Sequence, residues 1–164
     1  MEWHEAIAVA ARAHGMLRDK GGILQLAHGV EVASALGDDA TDDELAAAVL
    51  HDVLEDTPWT RDRLFEAGVP PVVVEAVEHV TRIERPEKER YFDFIERTAE
   101  APGEAGRIAR KVKVADLTVN MGPRLRNLPG GGSMKRKRYI PALDRIRGAQ
   151  AARGETAARR ASRP

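Results

Sequence analysis

The chain contains no cysteine among its 164 residues, which excludes disulfide scaffolds, thiolate metal sites and cysteine nucleophiles. A metal, if bound, has to be held by histidine and carboxylates, and an intracellular, reducing setting is expected. Long apolar runs are also missing: nothing approaches the roughly 18 consecutive apolar residues of a membrane span. The opening MEWHEAIAVAARAHG carries acidic residues where a secretory signal has basic ones, so a soluble cytoplasmic protein with no membrane partner is expected. Net charge is absent as a sum but not as a distribution. Lys and Arg number 26 and Asp and Glu 26, yet from Met121 onward twelve Lys or Arg stand against Asp144 and Glu155 alone, so this end is +10 and residues 1–120 are −10. A basic end either meets nucleic acid or neutralises the acidic body. The second is favoured, because the basic residues are not interleaved with aromatics in the manner of single-strand binders.

What the chain does have is helical periodicity nearly throughout, at a length that suits one domain. From Glu2 to Leu17, Ile7, Ala10, Ala11 and His14 fall at the i, i+3, i+4, i+7 spacing of one face. The paired glycines of RDKGGILQLA predict a loop, and His28 to Leu36 a short helix. GDDATDDE supplies turn residues and acids suited to a helix start, and the helix that follows is stopped by Pro58. Thr60 is placed to cap TRDRLFEAG, which Gly68 closes. VVVEAVEHVTR is β-branched enough for a strand, but Val73, Val77 and Val80 also fit a helix face, the preferred reading. Glu87 to Glu100 and Ala105 to Met121 predict two further helices. A flexible Gly-rich connector is expected over residues 129–133, a last helix over 134–147 bent by Pro141, and a polar, basic, frayed tail over 148–164. No run alternates as a strand should. The expected fold class is all-α, with a core over residues 1–128 on which the last helix packs.

One stretch is out of keeping with a buried helix. AAAVLHDVLEDTPWT, residues 46–60, sets His51, Asp52, Glu55 and Asp56 among alanine, valine and leucine. On a continuous helix, with His51 at zero, Asp52 falls at about 100°, Glu55 at about 40° and Asp56 at about 140°, while Val49, Leu50, Val53 and Leu54 point the other way. No Lys or Arg stands within a turn. Three carboxylates in one stripe without cations cost free energy unless a cation joins them. A divalent ion meets that need; a solvated acidic face that happens to include a histidine is the alternative, and spacing alone leaves both open.

The pair His51-Asp52 within HDVLED, His28 some two dozen residues earlier and VKVADLTVNM much later resemble the HD-domain metal-dependent phosphohydrolases. More narrowly, they resemble the (p)ppGpp hydrolase domain of the Rel/SpoT-type enzymes and their small stand-alone relatives. The resemblance implies a compact all-α helical bundle in which His28, His51, Asp52 and Asp116 hold one divalent metal. Manganese is the first expectation, and zinc, magnesium or iron also suit imidazole and carboxylate ligands. It further implies that Glu55 and Asp56 are catalytic, positioning and deprotonating the attacking water, and that Asn120 contacts the substrate's sugar or phosphate. Lys113, one turn before Asp116, would pair with it or with phosphate; alone it reads as solvated. His14, Trp59, Phe65, Tyr91 and Phe94 are expected to pack.

The guanine-recognition shell departs from the family pattern. Asp19 stands where those relatives carry a base-stacking arginine, with Arg18 and Lys20 on either side as the remaining candidates for substrate contact. Gln25 and Gly29 take the places of a tyrosine and a proline around the first histidine. The expected function is metal-dependent hydrolysis of a phosphorylated nucleotide, with guanosine 3',5'-bis(diphosphate) as the first substrate. A nucleotide-sensing protein with a degenerate site, a hydrolase of another nucleotide, and nucleic-acid binding by the basic end are the alternatives.

Overall fold

Capping explains where the first helices begin. Glu2 and Glu5 form a reciprocal capping box at the start of α1 (Trp3–His14), and Thr41 and Glu44 form another at the start of α3 (Asp42–Leu50). Between them lies α2 (Gln25–Ser34), entered through an antiparallel bridge between Arg18 and Leu24. A computed structural model of the chain describes residues 1–19, 22–84, 87–122 and 130–155. After α3 come α4 (Val53–Asp56), α5 (Arg61–Glu66) with Thr60 as its cap, α6 (Pro71–Val80) with proline in its first turn, α7 (Tyr91–Glu100) and α8 (Gly103–Asn120). A further helical run starts with α9 (Gly131–Met134), widens into a π turn over Lys135–Tyr139 and continues as α10 (Ile140–Ala152). No strand occurs among the described residues, so the chain is all-α.

Helix α8 is central because it is apolar on two sides. Its Ile108 and Val112 join Val32, Leu50, Val73 and Val77 in the larger core formed with α1, α2, α3 and α6. Its Leu117 joins Phe94, Ile95, Leu143 and Ile146 in a second core formed with α7 and α10. Each fully buried aliphatic side chain contributes about 2 kcal/mol. Consequently α8 holds its position rigidly against both halves, and residues on its remaining face are fixed in space.

Several sequence expectations are corrected. The expected Glu2 to Leu17 helix ends at His14, and its buried face is Ala6, Val9, Ala10 and His14, with Ile7 and Ala11 only half-buried. The helix expected from Glu87 starts at Tyr91, because Glu89 is engaged in closing the preceding loop on Ile83. The connector reading fails at Gly131, Gly132 and Ser133, which are helical; Pro129 lies outside the described residues. Pro141 does not interrupt the last helix. The missing N–H and the ring of a proline disrupt an α ladder one turn back, and here the π turn occupies that place. The segment beyond Arg147 is not frayed as far as Glu155: the helix runs to Ala152, and Glu155 forms an ion pair with the fully buried Arg110.

Candidate metal centre

The HD dipeptide sits at a break between helices. His51 keeps helical angles (φ −56°, ψ −32°), but Asp52 turns to φ −96°, ψ −2°, and α4 restarts at Val53. The uninterrupted helix expected across the acidic stripe is therefore replaced by two, with the pair at their junction. Propensity did not signal this, since the segment is rich in good helix formers; tertiary packing decides it. The turn lets adjacent residues 51 and 52 aim at one centre, which a straight helix would separate by about 100°.

Three elements converge there. His28 from α2, His51 at the end of α3 and Asp116 from α8 place ligand atoms within 4.8 Å of one another, and all three residues are buried. The Nε2 atoms of His28 and His51 lie 3.4 and 3.8 Å from Asp116 Oδ1. His51 Nε2 is also 3.1 Å from Asp52 Oδ1, and His28 Nε2 is 4.0 Å from Asp52 Oδ2. On its other side His51 presents Nδ1 to the carbonyl of Ala48 at 2.8 Å. That contact assigns a proton to Nδ1 and leaves Nε2 as the nitrogen that faces the cluster. His51 Nε2 is buried, and its nearest acceptor, Asp52 Oδ1 at 3.1 Å, does not lie in good hydrogen-bonding alignment with it. An orphaned imidazole nitrogen beside carboxylate oxygens fits a divalent ion.

The second oxygen of each carboxylate is held from behind. Asp116 Oδ2 accepts from Lys113 Nζ at 2.8 Å, and its Oδ1 accepts from the amide of Asn120. Asp52 Oδ2 accepts from Gln25 Nε2 at 2.5 Å. Such outer partners orient ligands and are a regular part of metal sites. Lys113 is not solvated: its ammonium is buried over the Phe94 ring, 4.9 Å from the centroid. Burial works against that ammonium, but the charge of Asp116 outweighs it and raises its pKa. Burial likewise pushes Asp116 up, yet Lys113 and the two histidines hold it well below the usual carboxylate range. Burial lowers His51, while the charges of Asp52 and Asp116 raise it to about 9. The cluster thus stabilises positive charge at its middle, whether a proton or a dication.

The remaining sequence candidates divide. Asp56, at an exposed position, accepts from Gln25 Nε2 at 2.7 Å; partial desolvation of its carboxyl, and then the charges of Asp52 and Glu55, raise it to about 6. Glu55 is exposed and accepts the backbone N–H of Arg82 at 3.3 Å. Arg18 donates to the carbonyl of Gly22 at 2.7 Å, and Asp19 accepts the Ile23 N–H at 2.9 Å, so both stabilise their own loop. Lys20 lies outside the described residues.

Four residues were missed. Gln25 shares a face with His28 one turn later, a spacing that signals it. Tyr91, Arg138 and Tyr139 do not declare themselves in sequence. Arg138 stacks on the Tyr91 ring at 4.2 Å, and both tyrosines are raised by burial while sensing the charges of Lys113 and Asp116. The π turn therefore returns the basic C-terminal segment to the edge of the centre. His14 packs as expected, buried, with its Nδ1 lacking a partner and burial lowering its pKa.

The model of the HD domain family matches residues 6–121. Among solved structures, a metazoan ortholog of SpoT, described as hydrolysing ppGpp and playing a role in starvation responses, superposes with a TM-score of 0.71 at 25% identity. The match covers 90% of this chain and 84% of that one. No curated protein matches the chain. Among the described residues, no helix is long and apolar enough to cross a membrane. With the motif residues converging as the metal-binding chemistry of such a domain requires, and a family match across most of the chain, the protein belongs to the HD-domain family of phosphohydrolases.

Proposed function

We propose that the protein is a divalent-metal-dependent hydrolase of phosphorylated nucleotides, with guanosine 3',5'-bis(diphosphate) as substrate and its 3'-pyrophosphate as the group removed. The observation that carries this reading is the orphaned Nε2 of His51 facing His28, Asp52 and Asp116. Those four residues would hold the ion, manganese in the first place. An ion in such a set supplies Lewis acidity toward a phosphate oxygen and toward water. The protein's own groups do the rest. Glu55 and Asp56 orient water and accept its proton as its oxygen bonds to phosphorus. The bond from phosphorus to the ribose 3'-oxygen breaks, and a proton returns to that oxygen. Lys113 and Asn120, which donate to Asp116, and Arg138, which lies over the Tyr91 ring, are the donors offered to phosphate or sugar, and a cytoplasmic setting is part of this reading. The guanine assignment leans on the likeness to the SpoT ortholog.

A second reading, a nucleotide sensor without turnover, is favoured by the engagement of Arg18 and Asp19 in their own loop. A panel of phosphorylated nucleotides incubated with the manganese-loaded protein separates the two. Pyrophosphate released from guanosine tetraphosphate, and lost in Asp52→Asn and Glu55→Gln, supports the hydrolase. Binding without release across the whole panel replaces it with the sensor.

A further inference from the structure

We infer that Gln25 is a positioning residue whose single amide ties the ion-facing carboxylate of Asp52 to the carboxylate of Asp56. The Asp56 half rests on the hydrolase reading; the Asp52 half needs only the metal centre.

Gln25 is the first residue of α2 and only 6% exposed. Its Nε2 reaches Asp52 Oδ2 at 2.5 Å and Asp56 Oδ2 at 2.7 Å. Both acceptors are carboxylates, so the nitrogen end of the amide has to face them. Two anions from one short turn repel, and they stay together only if something donates to both. A primary amide is the neutral side chain that offers two N–H groups from one atom. A hydroxyl has one proton to give, and a carboxylate would add a third negative charge.

The bond also selects between the oxygens of Asp52. With Oδ2 held by Gln25, Oδ1 faces His51 Nε2 at 3.1 Å. Gln25 and His28 stand one turn apart on the same helix, so a single rigid element carries an imidazole of the cluster and the bridge to both acids. Placement of Asp56 is thereby coupled to placement of the ion-facing oxygen.

The test combines Gln25→Met, which keeps the length and removes the donors, with Gln25→Asn, which keeps an amide too short to span both acids. Each is made alone and with Asp56→Asn, and apo melting curves establish that the variants fold. Mn2+ affinity is measured by calorimetry and turnover on guanosine tetraphosphate separately. Loss of outer ligand partners typically weakens metal binding by about 10-fold or more, and that loss is expected in both Gln25 variants and again in the Asp56→Asn background. At Mn2+ concentrations that saturate each variant, turnover is expected to fall in kcat with KM little changed, and to fall no further when Gln25→Met is added to Asp56→Asn. Gln25→Asn decides the matter if Gln25→Met does not fold. Wild-type Mn2+ affinity in the variants, or kcat losses that multiply in the double variant, overturns the inference. Wild-type protein that turns over no nucleotide overturns the hydrolase reading instead, and the metal affinities then decide the Asp52 half alone.

Discussion

At the scale of single residues, the centre is a set of pairings in which every acid has a partner behind it. Lys113 donates to Asp116 Oδ2, while the histidines and Asn120 face Oδ1, so removing it leaves Oδ2 without that donor. Lys113→Met is expected to weaken Mn2+ binding by about 10-fold, read by calorimetry. Glu44 shows the same logic outside the site. Burial pushes its carboxyl up, but hydrogen bonds from Lys111 and Arg107 outweigh that and hold it below its ordinary value of 4.5. A depressed carboxyl stabilises the fold above its ordinary pKa and ceases to do so as pH falls through the lower folded value. Acid titration followed by circular dichroism should therefore show a steeper loss of stability below about pH 4.5 in the wild type than in Glu44→Gln.

At the scale of elements, the site depends on how closely α2 and α3 approach. Gly29 follows His28, and a Cβ there would lie 2.7 Å from the carbonyl oxygen of Val49, two residues before His51. Glycine is needed because backbone meets backbone. Gly29→Ala should separate the helices that carry the two histidines, lower stability by about 1–3 kcal/mol and weaken Mn2+ binding, measured by thermal unfolding and calorimetry together. Unchanged melting and unchanged affinity would mean that the helices yield without cost.

What could be read from the sequence follows the same division. The HD pair and its acids are local, so their spacing marked the stretch while leaving a solvated face open; α5 followed from Thr60, and Val73, Val77 and Val80 favoured a helix for α6. His28 and Asp116 became visible through the family resemblance, since no local rule brings α2 and α8 together. The break at Asp52 was hidden because propensity runs unbroken through it. For Lys113 the spacing offered the pairing with Asp116 that is found, with solvation as the alternative, but nothing near it in the chain reveals that Phe94, nineteen residues earlier, lies beneath its ammonium. Tyr139 and Arg138 were hidden for the same reason, being brought back by the docking of α10 on α7 and α8.

At the scale of the whole molecule, the charge asymmetry has a structural use. Arg145 pairs with Glu96 and Glu100, Arg153 with Glu100, and Glu155 with buried Arg110, so the basic end closes on acids of α7 while Glu155, one of its two acids, reaches back to α8. For these residues the neutralising reading holds. The Arg110 pair is the most consequential, since its guanidinium also donates to the carbonyls of Ala99 and Ala101 in the interior. Glu155→Ala leaves a buried cation without its anion and should cost about 3 kcal/mol, measured by urea denaturation; a cost near zero would mean that the C-terminal helix is not fastened through this pair.

The central claim is that two imidazoles and two carboxylates from three distant segments share one dication. Manganese titration of the wild type beside His51→Ala and Asp116→Ala tests it most directly. One ion per chain in the wild type, with binding lost in both folded variants, is the expected result. A wild type that takes up no ion at millimolar manganese, or an Asp116→Ala protein that binds it unchanged, would contradict it.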